Sequence, residues 1–272
     1  MGERHLRAKS GAMPCHFGLL YDFAMTTRKG RPSPSSPYDE EFYAGKNEGS
    51  YRSAMIVLPL VFSIVTPRSV VDLGCGTGTW LRAAYELGAH DYLGYDGPHV
   101  TQLCIPQARF AAVDLRQPLQ AERKFDLAIS CEVAEHLPAT SAATLAGTLT
   151  SLSDVVLFSA AIPGQGGVHH VNEQWPAYWQ ALFRARKYSA YDLIRPRIWN
   201  DDRVEVWYRQ NTVLYVADSA APRYPLPEKT PEVRGMVHPE LYESQRRKKL
   251  LRNAVRSTRR ALARWTGRDN SK

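Results

Sequence analysis

Cysteine is scarce and scattered: four residues in 272, at Cys15, Cys75, Cys104 and Cys131, with no C-x-x-C pair. That pattern excludes a disulfide scaffold and a cysteine-based zinc site and suits a reducing compartment, so a cytoplasmic location is expected; no metal site is expected either, with Asp201, Asp202, His169 and His170 the one formal opening for one. Long apolar runs are also missing. The longest, 54–65, is interrupted by Pro59 and falls short of the ~20 residues that a bilayer span requires, which argues against a transmembrane segment. The basic start (Arg4, Arg7, Lys9) lacks the apolar stretch and small-residue cleavage site of a secretory signal. Composition is otherwise ordinary, with 44% hydrophobic residues and 18 each of Gly and Pro, which excludes collagen-like, repeat and wholly disordered chains.

The net charge of +8 is unevenly spread. Residues 1–31 carry +4 and residues 240–272 carry +8, leaving −4 on the stretch between them. A mildly acidic centre argues against a broad phosphate-binding face of its own, although either basic tail remains a source of attraction to nucleic acid or an anionic surface.

Residues 1–37 are basic and then Pro/Ser-rich, and read as a disordered tail, with translation expected to start near Met25. Residues 38–66 read as one or two amphipathic helices, whose Tyr43 and Tyr51 are candidate lid residues or plain packing residues. From Ser69 short apolar runs (70–73, 91–95, 109–113, 125–130, 154–160) alternate with helical stretches (79–88, 138–150, 173–187), the pattern of a parallel α/β sheet covered on both faces. Two further β-like runs, 191–194 and 212–216, suggest a closing antiparallel pair. The domain is expected to span 38–220. A Pro-containing linker and a basic helix at 240–265 then occupy 221–272, the helix being a candidate for weak contact with a membrane surface or, more plainly, a solvated helix on the acidic domain.

The central chemical signal is VVDLGCGTGTW (70–80), a strand running into a glycine-rich turn and a helix. Glycine belongs where backbone approaches a ligand closely or takes positive φ. The dinucleotide fingerprint G-x-G-x-x-G would end at Thr79, so a nicotinamide enzyme is disfavoured. Further strands end at Asp96, 22 positions after Gly74, at Asp114, and at SCE (130–132). In a doubly wound sheet such carboxyl ends converge on one crevice.

With these residues in view, 38–218 resembles the class I S-adenosylmethionine-dependent methyltransferases. VVDLGCGTGTW looks like the family's first motif, YLGYD (92–96) its ribose-binding strand end, AAVDL (111–115) its adenine-contacting segment and FDLAISCEVAEHLP (125–138) its fourth-strand motif. The resemblance implies an α/β, doubly wound, mostly parallel seven-stranded Rossmann-like sheet with a closing antiparallel strand, binding S-adenosylmethionine. It places Asp96 on the ribose hydroxyls and Asp114 on the adenine amino group. Gly74, Gly76 and Gly78 would make room for the methionine part, Asp72 would orient the loop and the ammonium, and Cys75, Leu115 and Glu132 would complete the set. The stretch 159–175 looks like that of a bacterial subgroup acting on small molecules, sugars or glycans.

That stretch, SAAIPGQGGVHHVNEQW, carries His169, His170, Asn172 and Glu173 to the mouth of the same crevice. Methyl transfer is an in-line displacement, helped by a base when the acceptor is a hydroxyl, and imidazole titrates in the useful range. His170 or His169 is the candidate base, and Asn172 and Glu173 are candidate acceptor contacts; the bland alternative is loop histidines bonded to backbone. Glu135-His136 reads as pocket lining and, less strongly, as an acid/base pair. Trp199, Trp207, Tyr208 and Arg209 are candidates to stack on and bond a sugar or aromatic acceptor, or are strand-flanking packing. The expected function is O-methylation of a small-molecule or sugar acceptor. The rivals are an RNA or protein methyltransferase that uses the basic tails, and a non-catalytic S-adenosylmethionine-binding scaffold.

Overall fold

Short β-branched and apolar runs bounded by Gly or Asp pair as strands, and the amphipathic stretches between them cover the two faces. The computed structural model describes residues 40–119 and 122–265, with the side chains of 47–119 and 122–259; the expected tail 1–37, Met25 and the Tyr43 side chain lie outside these. Helix α1 (Glu40–Val65) precedes β1 (Ser69–Leu73), α2 (Thr79–Glu86), β2 (Asp91–Asp96), β3 (Phe110–Ala112) and β4 (Leu127–Cys131). There follow α3 (Ala142–Leu152), β5 (Val155–Ser159), α4 (Pro176–Arg184), β6 (Tyr188–Tyr191), α5 (Arg195–Ile198), α6 (Val206–Asn211), β7 (Val213–Ala217) and α7 (Pro239–Trp265).

The sheet runs β3-β2-β1-β4-β5-β7-β6. β1 lies parallel to β2 and β4, β2 to β3, and β4 to β5, while β7 runs antiparallel between β5 and β6. The order reverses between β1 and β4, so the crevice opens at the carboxyl ends of those two strands. The sixth strand starts three residues before the run expected at 191–194. Tyr188, Ala190 and Tyr191 are buried in it, while Ile194, also buried, opens the turn into α5.

One helix covers the stretch expected to form one or two. Its segment Asn47–Val65, longer than the 54–65 run, is long and apolar enough, by length and composition alone, to cross a membrane. Ala54, Val57, Leu58 and Val61 are nevertheless fully buried and join the hydrophobic core, the pattern of a core helix.

Among the described residues, Arg195 is the largest fully buried side chain. Its guanidinium pairs bidentately with Asp192 and donates to the carbonyls of Gln210 and Arg234, so a buried cation ties α5, α6 and the 222–238 stretch together. That stretch is fastened to the domain: Gln180 bonds the carbonyls of Thr230 and Pro231 and the amide of Val233. The first turns of α7 dock through the ion pair Arg209–Glu240 and the Gln245 amide on the Gln165 carbonyl, whereas Leu250, Leu251 and Val255 are exposed.

Candidate functional site

At the carboxyl ends of β1 and β4 lies a cavity of about 660 Å³, within the range of small-molecule sites. One wall is the turn after β1, where Asp72, Gly74, Cys75, Gly76 and Thr77 line the space. The glycines of this turn hold φ of +80° (Gly74), +54° (Gly76) and +90° (Gly78). A Cβ on Gly74 would sit 2.4 Å from a Val133 methyl, so this glycine permits close packing. A Cβ on Gly76 would meet no protein atom within 4 Å: here the backbone faces open space.

Asp96, at the end of β2, braces the turn from behind and is not part of the lining, and neither is Gly78, whose missing Cβ faces Ile105. The Asp96 carboxylate accepts the Gly76 N–H at 2.7 Å and the Gly97 N–H at 2.6 Å, fixing the loop while keeping free lone pairs. Asp72 is 2% exposed, and burial, then the nearby Asp96 charge, push its carboxyl well above the usual range. The Cys75 thiol is pushed up by burial and then by Asp72, so it is a packing group and not a nucleophile. Asp114 lies away from the cavity wall, its exposed carboxylate gripped bidentately by Arg116, and Leu115 is likewise not part of the lining.

Asn47 and Ser50 of α1 cover the opening: Asn47 Oδ1 accepts the Thr77 hydroxyl at 3.0 Å, and Ser50 lies 3.0 Å from the Tyr208 hydroxyl. Tyr51 points elsewhere, bonding Glu86 under the Arg82 guanidinium.

The opposite wall comes from the segments after β4 and β5 and from α6. Glu132 sits in the left-handed region at φ +56°, an uncommon position for a non-glycine residue. Its two oxygens accept the Gln165 and Asn211 amides, each at 3.0 Å, and Gln210 extends the network to both partners. Gln165, Gln210 and Asn211 carried no recognisable sequence signal, because apart from the Gln210–Asn211 contact their bonds in this network span 33–79 residues. Glu135 is fully buried; burial and then the Glu132 charge push its carboxyl well above the usual range.

His170 lines the cavity, its ring meeting that of His136 edge-on at 4.9 Å. Its Nδ1 lies 2.9 Å from Glu173 Oε1, and Glu173 itself accepts the Gly164 and Gly166 N–H groups at 2.7 Å each. Glu173 thus braces the loop and the histidine and is not part of the cavity wall. His169, at φ +60°, is exposed and outside the lining. Asn172 is buried, its carbonyl oxygen accepting the Gln174 amide. Trp207 and Tyr208 do line the space; Tyr208 stays protonated because burial pushes its hydroxyl up. Trp199 packs on His238 and Arg209 on Glu240, away from the cavity. Lys248 of α7 reaches the rim, a contribution the sequence did not suggest.

A family model described as a methyltransferase domain matches residues 46–193. No curated protein matches the chain. Among solved structures the chain is similar to the sugar N-methyltransferase KedS8 from Streptoalloteichus sp. ATCC 53650, at 14% identity and TM-score 0.49, over 72% of this chain and 99% of that one. It is also similar to an O-methyltransferase family protein from Burkholderia thailandensis (13%, TM-score 0.45, 66% of this chain and 60% of that one). A third is DesVI from Streptomyces venezuelae (21%, TM-score 0.38, 47% and 58%). The match thus spans about three fifths of the length of the last two.

Proposed function

The chain belongs to the methyltransferase-domain family, and from that premise we propose that this S-adenosylmethionine-dependent enzyme methylates a hydroxyl of a small-molecule or sugar acceptor on the His170 side of the cavity. The carrying observation is that one cavity joins a glycine turn with open space before Gly76 to a wall holding a carboxylate-braced histidine.

The open backbone at Gly76, beside buried Asp72, fits the cofactor. When bound, S-adenosylmethionine supplies an electrophilic methyl carbon on sulfur. Gly76 would give its methionine part room, within the tight turn that Gly74 and Gly78 permit by their positive φ; Asp72 and Cys75 would line that end, Glu132 would bound it opposite, and Asp96, just behind the wall, would offer its spare lone pairs to the ribose hydroxyls. Asp114 and Leu115, beyond the wall, are assigned to the outer adenine contact.

On the acceptor side Trp207 and Tyr208 offer aromatic faces, and Lys248 places one cation at the rim. With Nδ1 held by Glu173, His170 would have Nε2 left to take the proton of an acceptor hydroxyl, while bound S-adenosylmethionine would supply the methyl group. His170 is better placed for this than exposed His169.

Calorimetric titration with S-adenosylmethionine, with NADH as control, tests the cofactor half. Asp96→Asn should weaken binding about 10–100-fold through lost charge-assisted bonds. Failure of folded wild type to bind, or equal affinity of the variant, overturns the assignment. Release of S-adenosylhomocysteine is then followed with nucleotide sugars, sugar-bearing metabolites and phenols. Turnover only with RNA, collapsing at high salt, would replace the acceptor class.

A further inference from the structure

We propose that Glu135, His136 and His170 hold a divalent transition-metal ion on the acceptor side of the cavity. The three come from two segments, the turn after β4 and the loop after β5, yet each offers a ligand atom within 4.8 Å of the others. Ligands at about 2.1 Å from one ion stand roughly 3–3.5 Å apart, so a movement of about an ångström closes the set.

Glu135 is fully buried beside the Glu132 carboxylate and the backbone of Ala161, and neither of its carboxyl oxygens makes a hydrogen bond of ordinary geometry to the described residues. Buried carboxylates are ordinarily paired, hydrogen-bonded or bound to a metal. An ion supplies the missing partner. Glu132, the other carboxylate, is engaged by the Gln165 and Asn211 amides and lies against Glu135, so two acidic groups share this corner and an ion there would answer both.

His170 is prepared as a ligand in the same way. Its Nδ1 meets Glu173 Oε1, and Glu173 is pinned by two backbone amides, the carboxylate–histidine arrangement that fixes the tautomer and orients the other nitrogen toward a metal. Gly167 is required beside this ring, since a Cβ there would fall 2.1 Å from His170 Nε2. Two nitrogens and one oxygen suit Zn²⁺, Mn²⁺ or Fe²⁺ better than Mg²⁺ or Ca²⁺. Three protein ligands leave positions open toward the cavity, as in catalytic sites. No metal was expected from the sequence, which left only Asp201, Asp202 and the two adjacent histidines as a formal opening; the set here shares His170 alone with that group and contains no cysteine.

The ion's role rests on the methyl-transfer reading, although its binding does not: it would hold the acceptor hydroxyl and lower its pKa. His170 would then be a ligand, and the proton would leave to solvent at the mouth.

The test uses untagged full-length protein stripped with chelator and titrated with Mn²⁺ and Zn²⁺ by calorimetry, with Mn²⁺ also followed by electron paramagnetic resonance. One ion per chain is expected, with Glu135→Gln and His170→Asn each weakening it at least about 10–100-fold, Glu173→Gln within that range, and His90→Ala unchanged. Circular dichroism checks folding, and the His170 variant carries the test if Glu135→Gln misfolds. No saturable binding by wild type that still binds S-adenosylmethionine overturns the metal site and leaves the methyltransferase reading standing. Binding undiminished in His170→Asn also overturns the site. One bound ion sensitive to these variants, in a protein that methylates no acceptor, supports the site and defeats the acceptor reading.

Discussion

Gly74→Ala is the sharpest probe of the turn that builds the cavity. The substitution meets two separate obstacles. At φ +80° an alanine is held in the left-handed region, at a cost of about 1–2 kcal/mol. Its Cβ would also stand 2.4 and 2.6 Å from the two methyls of Val133, an overpacking that adds about 1–3 kcal/mol. The sum, about 2–5 kcal/mol, is a large part of the stability of an ordinary domain. Val133→Ala by itself removes two buried methyls and costs about 1.5 kcal/mol. In the double variant the methyl clashes are gone, and the backbone term, the lost methyls and a tight 3.0 Å contact with the residue-133 Cβ remain. Urea unfolding of all four proteins closes a double-mutant cycle, with a favourable coupling of about 1–3 kcal/mol expected. Strict additivity would refute the reasoning, because it would mean that Val133 does not meet position 74 and that the turn tolerates a side chain there.

Two other perturbations follow from the charges that hold the frame. Arg195→Ala leaves Asp192 unpaired and the Gln210 and Arg234 carbonyls without their donor, and should cost about 3–5 kcal/mol in urea unfolding; a loss under 1 kcal/mol would show that the buried pair is not what joins α5 to the 222–238 stretch. Asp154 is held below the usual carboxylate range by Lys124 and then Arg223, so its contribution is present above the unfolded value near about 3.9 and is lost as pH falls through the folded one. Asp154→Asn should therefore lose up to about 1 kcal/mol at pH 7, with the difference from wild type shrinking in acid; a gap that widens on acidification contradicts the sign.

What the sequence made legible is what short segments determine by themselves. The parallel strands were readable because each is a brief apolar run closed by Gly, Asp or Cys-Glu, and the glycine turn because positive φ and close approach leave no other residue choice at Gly74. The sixth strand was misplaced because Ile194, as apolar as a strand residue, is buried from a turn. The polar apparatus was less readable. Glu173 looked like an acceptor contact by its place beside the histidines, yet its carboxylate is used by Gly164, Gly166 and His170. Asp114 ends its segment as an adenine-facing acid would, whereas its bidentate pairing with Arg116, two residues along, and its place behind the cavity wall were not readable from the segment. Glu135 and His136 read as lining because their relation to His170, 34 residues away, exists only in three dimensions.

Glu132 shows how the two walls of the cavity are joined. The chain leaving β4 must turn within one residue, and it does so with a non-glycine residue at φ +56°, a conformation of order 1–3 kcal/mol above the common ones. A glycine would adopt it more readily, so the side chain must return more than the strain it brings. That return is visible: the Glu132 amide is held by the Ser159 carbonyl at the end of β5, and its carboxylate draws in Gln165 from the next loop and Asn211 from α6. Gln165 in turn receives Gln245 of α7, whose neighbour three residues on, Lys248, stands at the rim. One strained position therefore sets the acceptor wall against the glycine turn, and the same carboxylate supplies the negative field beside Glu135 that a bound cation would answer.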